Sequence, residues 1–320
     1  MAKSSIRSTV EGALFSALTV IIAVLSFSMP LMLIISGMLI PLPLTLMVYR
    51  HGLKKGFLTF IASYILLLIL FPEPLSVSAI MIQFAPLGLL LGLLYKNSVS
   101  AGKSIIACTA VSTLLTFTVM ISVVSLTGIS LSYLEKEMQT AMNESINFYH
   151  NTGLMENVDV EDLKQSTEQT MQSLIMLLPG ILIIGAMLSS IITYLLSRAV
   201  FKRMNYKLVP LPTFSRWTFP WYSLWVVVIG LALTIIGDRY NLSTTAVVGK
   251  NIIYVASMIF VLLGVSIATY YYKRIPFHPL IKVAILFLVI IWPFTPFMLL
   301  GIGIIDPILD IRKINKEKEA

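Results

Sequence analysis

The side chains able to do chemistry are few and lie far apart. The imidazoles are His51, His150 and His278, and the only thiol is Cys108. No two of them sit at metal-ligand spacing, and one cysteine cannot form an intramolecular disulfide. Cys108 lies in an apolar block, where a thiol serves as a small buried hydrophobe. No Gly-x-x-x-x-Gly-Lys-Ser/Thr loop and no His-Glu-x-x-His occurs, which excludes an ATPase or zinc protease of those types. A catalytic nucleophile needs an adjacent base, and no pattern supplies one. The expectation is a protein that is not an enzyme and holds no cofactor and no metal.

The informative polar residues are those set in apolar surroundings. Glu73 is held between prolines in Phe71-Pro-Glu-Pro74, and Gln83 lies in Ile80-Met-Ile-Gln-Phe-Ala-Pro86, with Ser76 and Ser78 between them. Glu73, Gln83 and Ser78 are the candidate ligand-binding residues, facing an outward cavity. Gln83 has a second reading, because a lone amide in an apolar helix also ties helices together. Near the C-terminus, Asp306, Asp310 and Arg312 form a polar cluster. Spacing of four puts the two acids on one helix face, whereas Asp310 and Arg312 are not helical neighbours. An ion-pair cluster at the cytoplasmic interface and a proton relay are its two readings. Glu11 opens the first apolar block, where a carboxylate suits the positive end of a helix dipole. Ala13-x-x-x-Ala17 and Gly88-x-x-x-Gly92 are candidate helix-docking faces, since small residues four apart let backbones approach.

The elements that carry these residues follow from composition. Of 320 residues, 57% are hydrophobic and 12% charged, half the charge of typical soluble domains at about 25%. The apolar residues fall in blocks near 8–27, 30–49, 56–72, 77–95, 104–129, 172–197, 218–237, 251–272 and 279–308. Several reach the roughly 20 residues that cross a hydrocarbon core of about 30 Å. The chain reads as an all-α polytopic membrane protein, with the lipid bilayer as its partner. The net charge of +8 does not indicate nucleic acid, because residues 130–171 hold eight acids and two bases while most bases elsewhere flank the apolar blocks. Connections on one side carry 14 bases and those on the other four. Positive residues mark the cytoplasmic side, so the N-terminus is expected to be cytoplasmic in the cell membrane. Lys3 and Arg7 precede the first block without a small-residue cleavage site, so that block reads as a retained span.

Four segments follow. Residues 1–200 form a six-helix membrane domain. Within it, 130–171 form an outer helical hairpin, with apolar stripes Leu131, Leu134, Met138, Met142 and Phe148 or Tyr149, then Val160, Leu163, Thr167 and Met171, the second capped by Asp159. It reads as a solvated connector or as a lid over an outward cavity. Residues 201–217 are a basic cytoplasmic linker leading to Trp217-Thr-Phe-Pro-Trp-Tyr-Ser-Leu-Trp225, whose aromatics read as a headgroup-level belt or a stacking platform. Residues 218–310 are three or four further membrane helices, and 311–320 a cytoplasmic tail. The last block contains Pro293 and Pro296. Proline breaks or kinks helices, so two short helices near 279–292 and 296–309 are expected, with one long kinked span as the alternative.

Two stretches carry a family resemblance. Gly12-Ala-Leu-Phe-Ser-Ala-Leu-Thr-Val20 resembles the first helix of the substrate-binding (S) subunits of energy-coupling factor vitamin transporters. Leu300-Gly-Ile-Gly-Ile-Ile-Asp-Pro-Ile-Leu-Asp-Ile-Arg312 resembles the close of the YybS-like family of bacterial membrane proteins. The second resemblance covers the whole chain, the first about 200 residues. The S-subunit resemblance implies a six-helix fold, an inside N-terminus and an Ala-x-x-x-Ala face, here Ala13 and Ala17, that docks on a membrane coupling subunit. The resulting expectation is a transporter-type protein that binds a small molecule from outside and is energised by a separate coupling subunit and ATPase. The alternative is a scaffold or assembly factor that binds other membrane proteins.

Overall fold

The computed structural model describes residues 2–28, 30–128, 131–152, 160–274, 276, 278, 287 and 291–314. Its α-helices are α1 (Ala2–Ser28), α2 (Pro30–Leu39), α3 (Pro41–His51), α4 (Leu53–Leu70), α5 (Pro74–Lys96), α6 (Ala101–Thr127), α7 (Leu131–Asn151), α8 (Val160–Arg203), α9 (Trp225–Arg239), α10 (Ser243–Arg274) and α11 (Thr295–Leu309). Short 3-10 turns cover Phe214–Arg216 and Trp221–Leu224, and no strand occurs among the described residues. Among the described residues, seven stretches are long and apolar enough to cross a bilayer: Ile6–Phe27, Leu53–Leu70, Pro74–Lys96, Ala101–Thr127, Gln165–Arg203, Trp221–Arg239 and Ser243–Arg274. The protein is a polytopic all-helical membrane protein.

The second apolar block departs from one continuous span. It is split into α2, of 10 residues, and α3, of 11, each short of the roughly 20 that cross alone. The cause is local. Pro41 and Pro43 have no N–H to donate to the carbonyls of Gly37 and Leu39, so two helical rungs within one turn are missing. Glycines in the left-handed region make other ends: Gly52 (φ 86) closes α3 and Gly128 (φ 70) closes α6.

The 130–171 segment contains α7 and the first turns of α8. At 1.5 Å per residue the 44 residues of α8 span about 66 Å, twice the hydrocarbon core. The expected stripe on α7 is not a buried one: Met138, Met142 and Phe148 are exposed and Ile146 is buried. Met171 is buried, while Asp159 and the side chains of Leu131, Leu134, Tyr149, Val160 and Leu163 lie outside the described residues. In the last block the chain turns at Pro293–Phe294, where Thr295 N donates to Trp292 O at 3.1 Å and α11 begins. The expected helix near 279–292 lies almost wholly outside the described residues.

The chain divides into two compact units, Met1–Thr167 with Gly185–Leu211, and Glu168–Ile184 with Pro212–Ala320. The division at Leu211 falls inside the 201–217 linker, and the middle of α8 groups with the C-terminal helices. Lipid tails are as apolar as leucine, so close approach and hydrogen bonds must hold such helices together. In the first unit, Ser16 of α1 donates to Thr59 O of α4 at 3.0 Å, and Thr45 of α3 donates to Gly88 O of α5 at 3.2 Å. Around these contacts, Leu44, Val48, Leu67, Met81 and Ala85 form one buried cluster. In the second unit α10 packs against α9 through Gly230, Gly237 and Gly249, and against α11 through Gly264 and Gly303.

Candidate functional site

The outer end of α4 and α5 is built by the Phe71-Pro-Glu-Pro74 turn, with Pro74 at the first position of α5, where its missing N–H costs nothing. Glu73 is exposed and accepts a hydrogen bond from Ser76 at 3.1 Å. Ser78 is already engaged: it meets the Tyr64 hydroxyl at 2.7 Å, tying α5 to α4, and donates to Pro74 O at 2.6 Å. Gln83 is half-buried, with no hydrogen-bond partner among the described residues. Three residues on, Pro86 cannot donate to the Ile82 carbonyl. One turn of α5 therefore holds a half-buried side-chain amide and a backbone carbonyl that lacks its regular donor four residues on. Glu73 and Gln83 are not brought together, since ten residues of helix separate them by about 15 Å.

The docking candidates separate. Gly88 and Gly92 lie against the Pro41 and Thr45 carbonyls of α3, the latter 2.6 Å from where a Cβ on Gly92 would stand. Their face is filled from within the unit. Ala13 and Ala17 are exposed, on the same open side of α1 as Val10, Leu14 and Ile21.

Three polar clusters organise the helix ends and the middle of the second unit. In the third turn of α1, too far from the helix start for the expected dipole role, Glu11 accepts from Arg7 Nε at 3.0 Å and Arg50 Nη1 at 2.9 Å, and lies 2.9 Å from His51 Nε2. Arg50 Nε donates onward to the Tyr206 hydroxyl at 2.7 Å. This joins α1, the end of α3 and the segment after α8. Sequence reasoning missed it, although the charge asymmetry already places the start of the first block and the end of the second on one side.

At the end of α11, Asp306 and Arg312 form a buried ion pair at 2.7 Å, their side chains 3% and 0% exposed. Arg312 uses all five guanidinium N–H groups: two on Asp306 and one each on Ser215 O, Trp217 O and Ser266 Oγ. The expected face shared by Asp306 and Asp310 does not form, because α11 stops at Leu309 and Asp310 turns left-handed at φ 44. Asp310 instead accepts from Ile314 N at 3.1 Å, and the reversal carries Arg312 back to Asp306.

Asn251 of α10 was not among the expected residues. Its amide donates to Met176 O at 2.9 Å and accepts from Gly180 N at 2.7 Å, the two groups that flank Pro179 in α8 and that a regular helix would bond to each other. A signal existed: a lone amide in one apolar block and a Pro-Gly pair in another.

Residues 17–307 match the family described as "Predicted membrane protein (DUF2232)". The chain belongs to this family. No curated protein and no solved structure matches it. The matched DUF2232 region contains Gln83, Asn251 and Asp306, while Glu11, Ala13 and Arg312 lie beyond it. For this DUF2232 chain, Asn251→Leu is expected to lower stability by about 0.6–1.7 kcal/mol, the range of single interhelical hydrogen bonds in membranes. Asn251→Asp should cost more, because it places a carboxylate against the Met176 carbonyl. Thermal unfolding in micelles, compared with Gln83→Leu, checks both.

Proposed function

We propose that the protein is of transporter type: its first unit binds a small polar molecule from the extracytoplasmic side, and a separate coupling subunit and ATPase energise it, with no catalysis by the chain itself. The carrying observation is the turn of α5 at Gln83, which holds a half-buried amide and, at the residue before it, the Ile82 carbonyl that Pro86 cannot serve as donor. Unpaired polar groups in an apolar span are costly, and a ligand that pairs with both relieves that cost. The resemblance of Gly12–Val20 and of 300–312 to S-subunit and YybS-like sequences supports the same reading. Native mass spectrometry of the detergent-purified chain should show a small molecule retained by the wild type and lost, with at least tenfold weaker binding, in Gln83→Leu. Retention unchanged in that variant would remove Gln83 from the site.

The exposed Ala13 and Ala17 face favours a second reading, a scaffold for other membrane proteins. Protein partners retained in place of a small molecule would favour it, and Leu at both positions should then release them.

We infer a cytoplasmic N-terminus from the 14-to-four asymmetry of flanking bases. Cysteine at Ser145 should label from outside and cysteine at Lys207 from inside. The reverse pattern would invert the topology and move Gln83 away from the outer half.

A further inference from the structure

The second unit carries an apolar groove of about 470 Å³ lined by Trp221, Leu224, Trp225, Val228, Pro307 and Ile308. It lies where α9 begins and α11 ends. Trp221 and Trp225 are 63% and 56% exposed, and neither is packed into the buried cluster of Ala256, Phe260, Leu263 and Ile267. The segments that lead into and out of the groove are basic. Arg216 stands five residues before Trp221, and Lys313 five after Ile308, and both are exposed. Lys273 and Arg274 end α10 at the same place, because Tyr270 and Tyr271 donate to the carbonyls of Arg312 and Ile311 at 3.4 and 3.2 Å. Arg274 lies over the Tyr270 ring at 4.0 Å. Of the acids nearby, Asp306 is paired inside with Arg312, and Asp310, which accepts from Ile314 N, sets one carboxylate against the exposed bases Arg216, Lys273, Arg274 and Lys313. Apolar indole walls with exposed cations on the adjoining segments match one occupant in charge and polarity, a lipid with an acyl chain and an anionic head.

We infer that this groove is a binding site for an anionic phospholipid, its acyl chain between Trp221, Trp225 and Ile308 and its phosphate met by Arg216 and Lys313. The buried Arg312 cluster fixes the site, since it holds the carbonyls of Ser215 and Trp217 on one side and the end of α11 on the other. This inference does not depend on the transporter reading, because Gln83 belongs to the other unit.

The test uses the full chain in phosphatidylcholine bilayers containing brominated phosphatidylglycerol or brominated phosphatidylcholine at equal mole fraction, read by quenching of tryptophan emission. The expected result is quenching at a roughly 25-fold lower mole fraction of phosphatidylglycerol, from two cations together. Arg216→Gln with Lys313→Asn should remove that preference, by about fivefold for each cation neutralised. Asn is chosen at 313 because the backbone there has φ 55, which Asn tolerates. Arg216→Lys should keep the preference. Val228→Phe, which fills the groove from a half-exposed position, should weaken quenching by both lipids. Equal quenching by the two lipids in the wild type would overturn the inference, as would a preference that survives neutralisation of both cations. Absence of quenching by either lipid would show that protein covers the groove and would overturn it too. Loss of phosphatidylglycerol preference with Gln83-dependent ligand retention intact would leave the proposed function standing, so the two readings fail separately.

Discussion

Arg312→Ala should destabilise the protein by about 3–5 kcal/mol, the usual cost of stripping one partner from a buried ion pair. The loss falls on more than the pair. The Asp306 carboxyl, 3% exposed, would lose its partner, and Ser215 O and Trp217 O would lose donors at 2.8 and 2.6 Å. Ser266 would keep its own bond to Phe214 O at 2.6 Å. Asp306→Asn should cost less, about 1.5–3 kcal/mol, because one charge-assisted bond pair weakens while the three other acceptors of Arg312 remain. Arg312→Lys should fall nearer to Ala than to wild type, since an ammonium offers three donors from one point and cannot span acceptors on three segments. An apolar pair, Asp306→Leu with Arg312→Met, should recover only part of the loss, because the Ser215 and Trp217 carbonyls stay orphaned. Equilibrium unfolding in mixed micelles gives the order. Proteolysis near Phe214–Arg216 should show the loosening first there. If Arg312→Ala and Asp306→Asn cost the same, the backbone contacts of the guanidinium contribute nothing.

Membrane class, helix content and the turn at Pro293 were legible because each is written locally. Hydropathy over about 20 residues needs no partner, and a proline lacks its donor wherever it stands. Pro293 thus marks a turn before α11, and the same rule applied to Pro41 and Pro43 would have split the second block. Polar residues were legible as candidates but not as contacts. The rule that a lone amide ties helices was applied to Gln83, and the fold gives that task to Asn251, because the choice depends on which helix faces the Pro179 gap. Asp306 and Arg312 were singled out together, but their pairing depends on a left-handed residue at 310 that helical spacing does not contain. Glu11 was read against its own helix dipole alone, since its partners Arg50 and His51 come from another element.

Small residues were the least legible, and they give the second large effect. Gly301 and Gly303 are two residues apart in α11 and look alike in the sequence. A Cβ on Gly301 meets nothing within 4 Å, whereas one on Gly303 would run into the Phe260 carbonyl of α10. The contact is reciprocal, because a Cβ on Gly264 of α10 would run into the carbonyl of Leu299 on α11. Backbone, not a flexible side chain, stands in the way, so the helices themselves must separate. Gly303→Ala and Gly264→Ala should each cost about 1–3 kcal/mol, the price of overpacking. Leu at either position should cost more and free α11 from α10. Gly301→Ala should be neutral or stabilise by about 0.4–1 kcal/mol, because it only removes freedom from the unfolded chain. Unfolding in micelles measures the three alanine variants side by side. A crosslink between cysteines placed at Leu300 and Val261 reports whether the helices stay together. Equal effects of alanine at 301 and 303 would mean that α11 is free to rotate about its axis and that its approach to Phe260 is not what holds it.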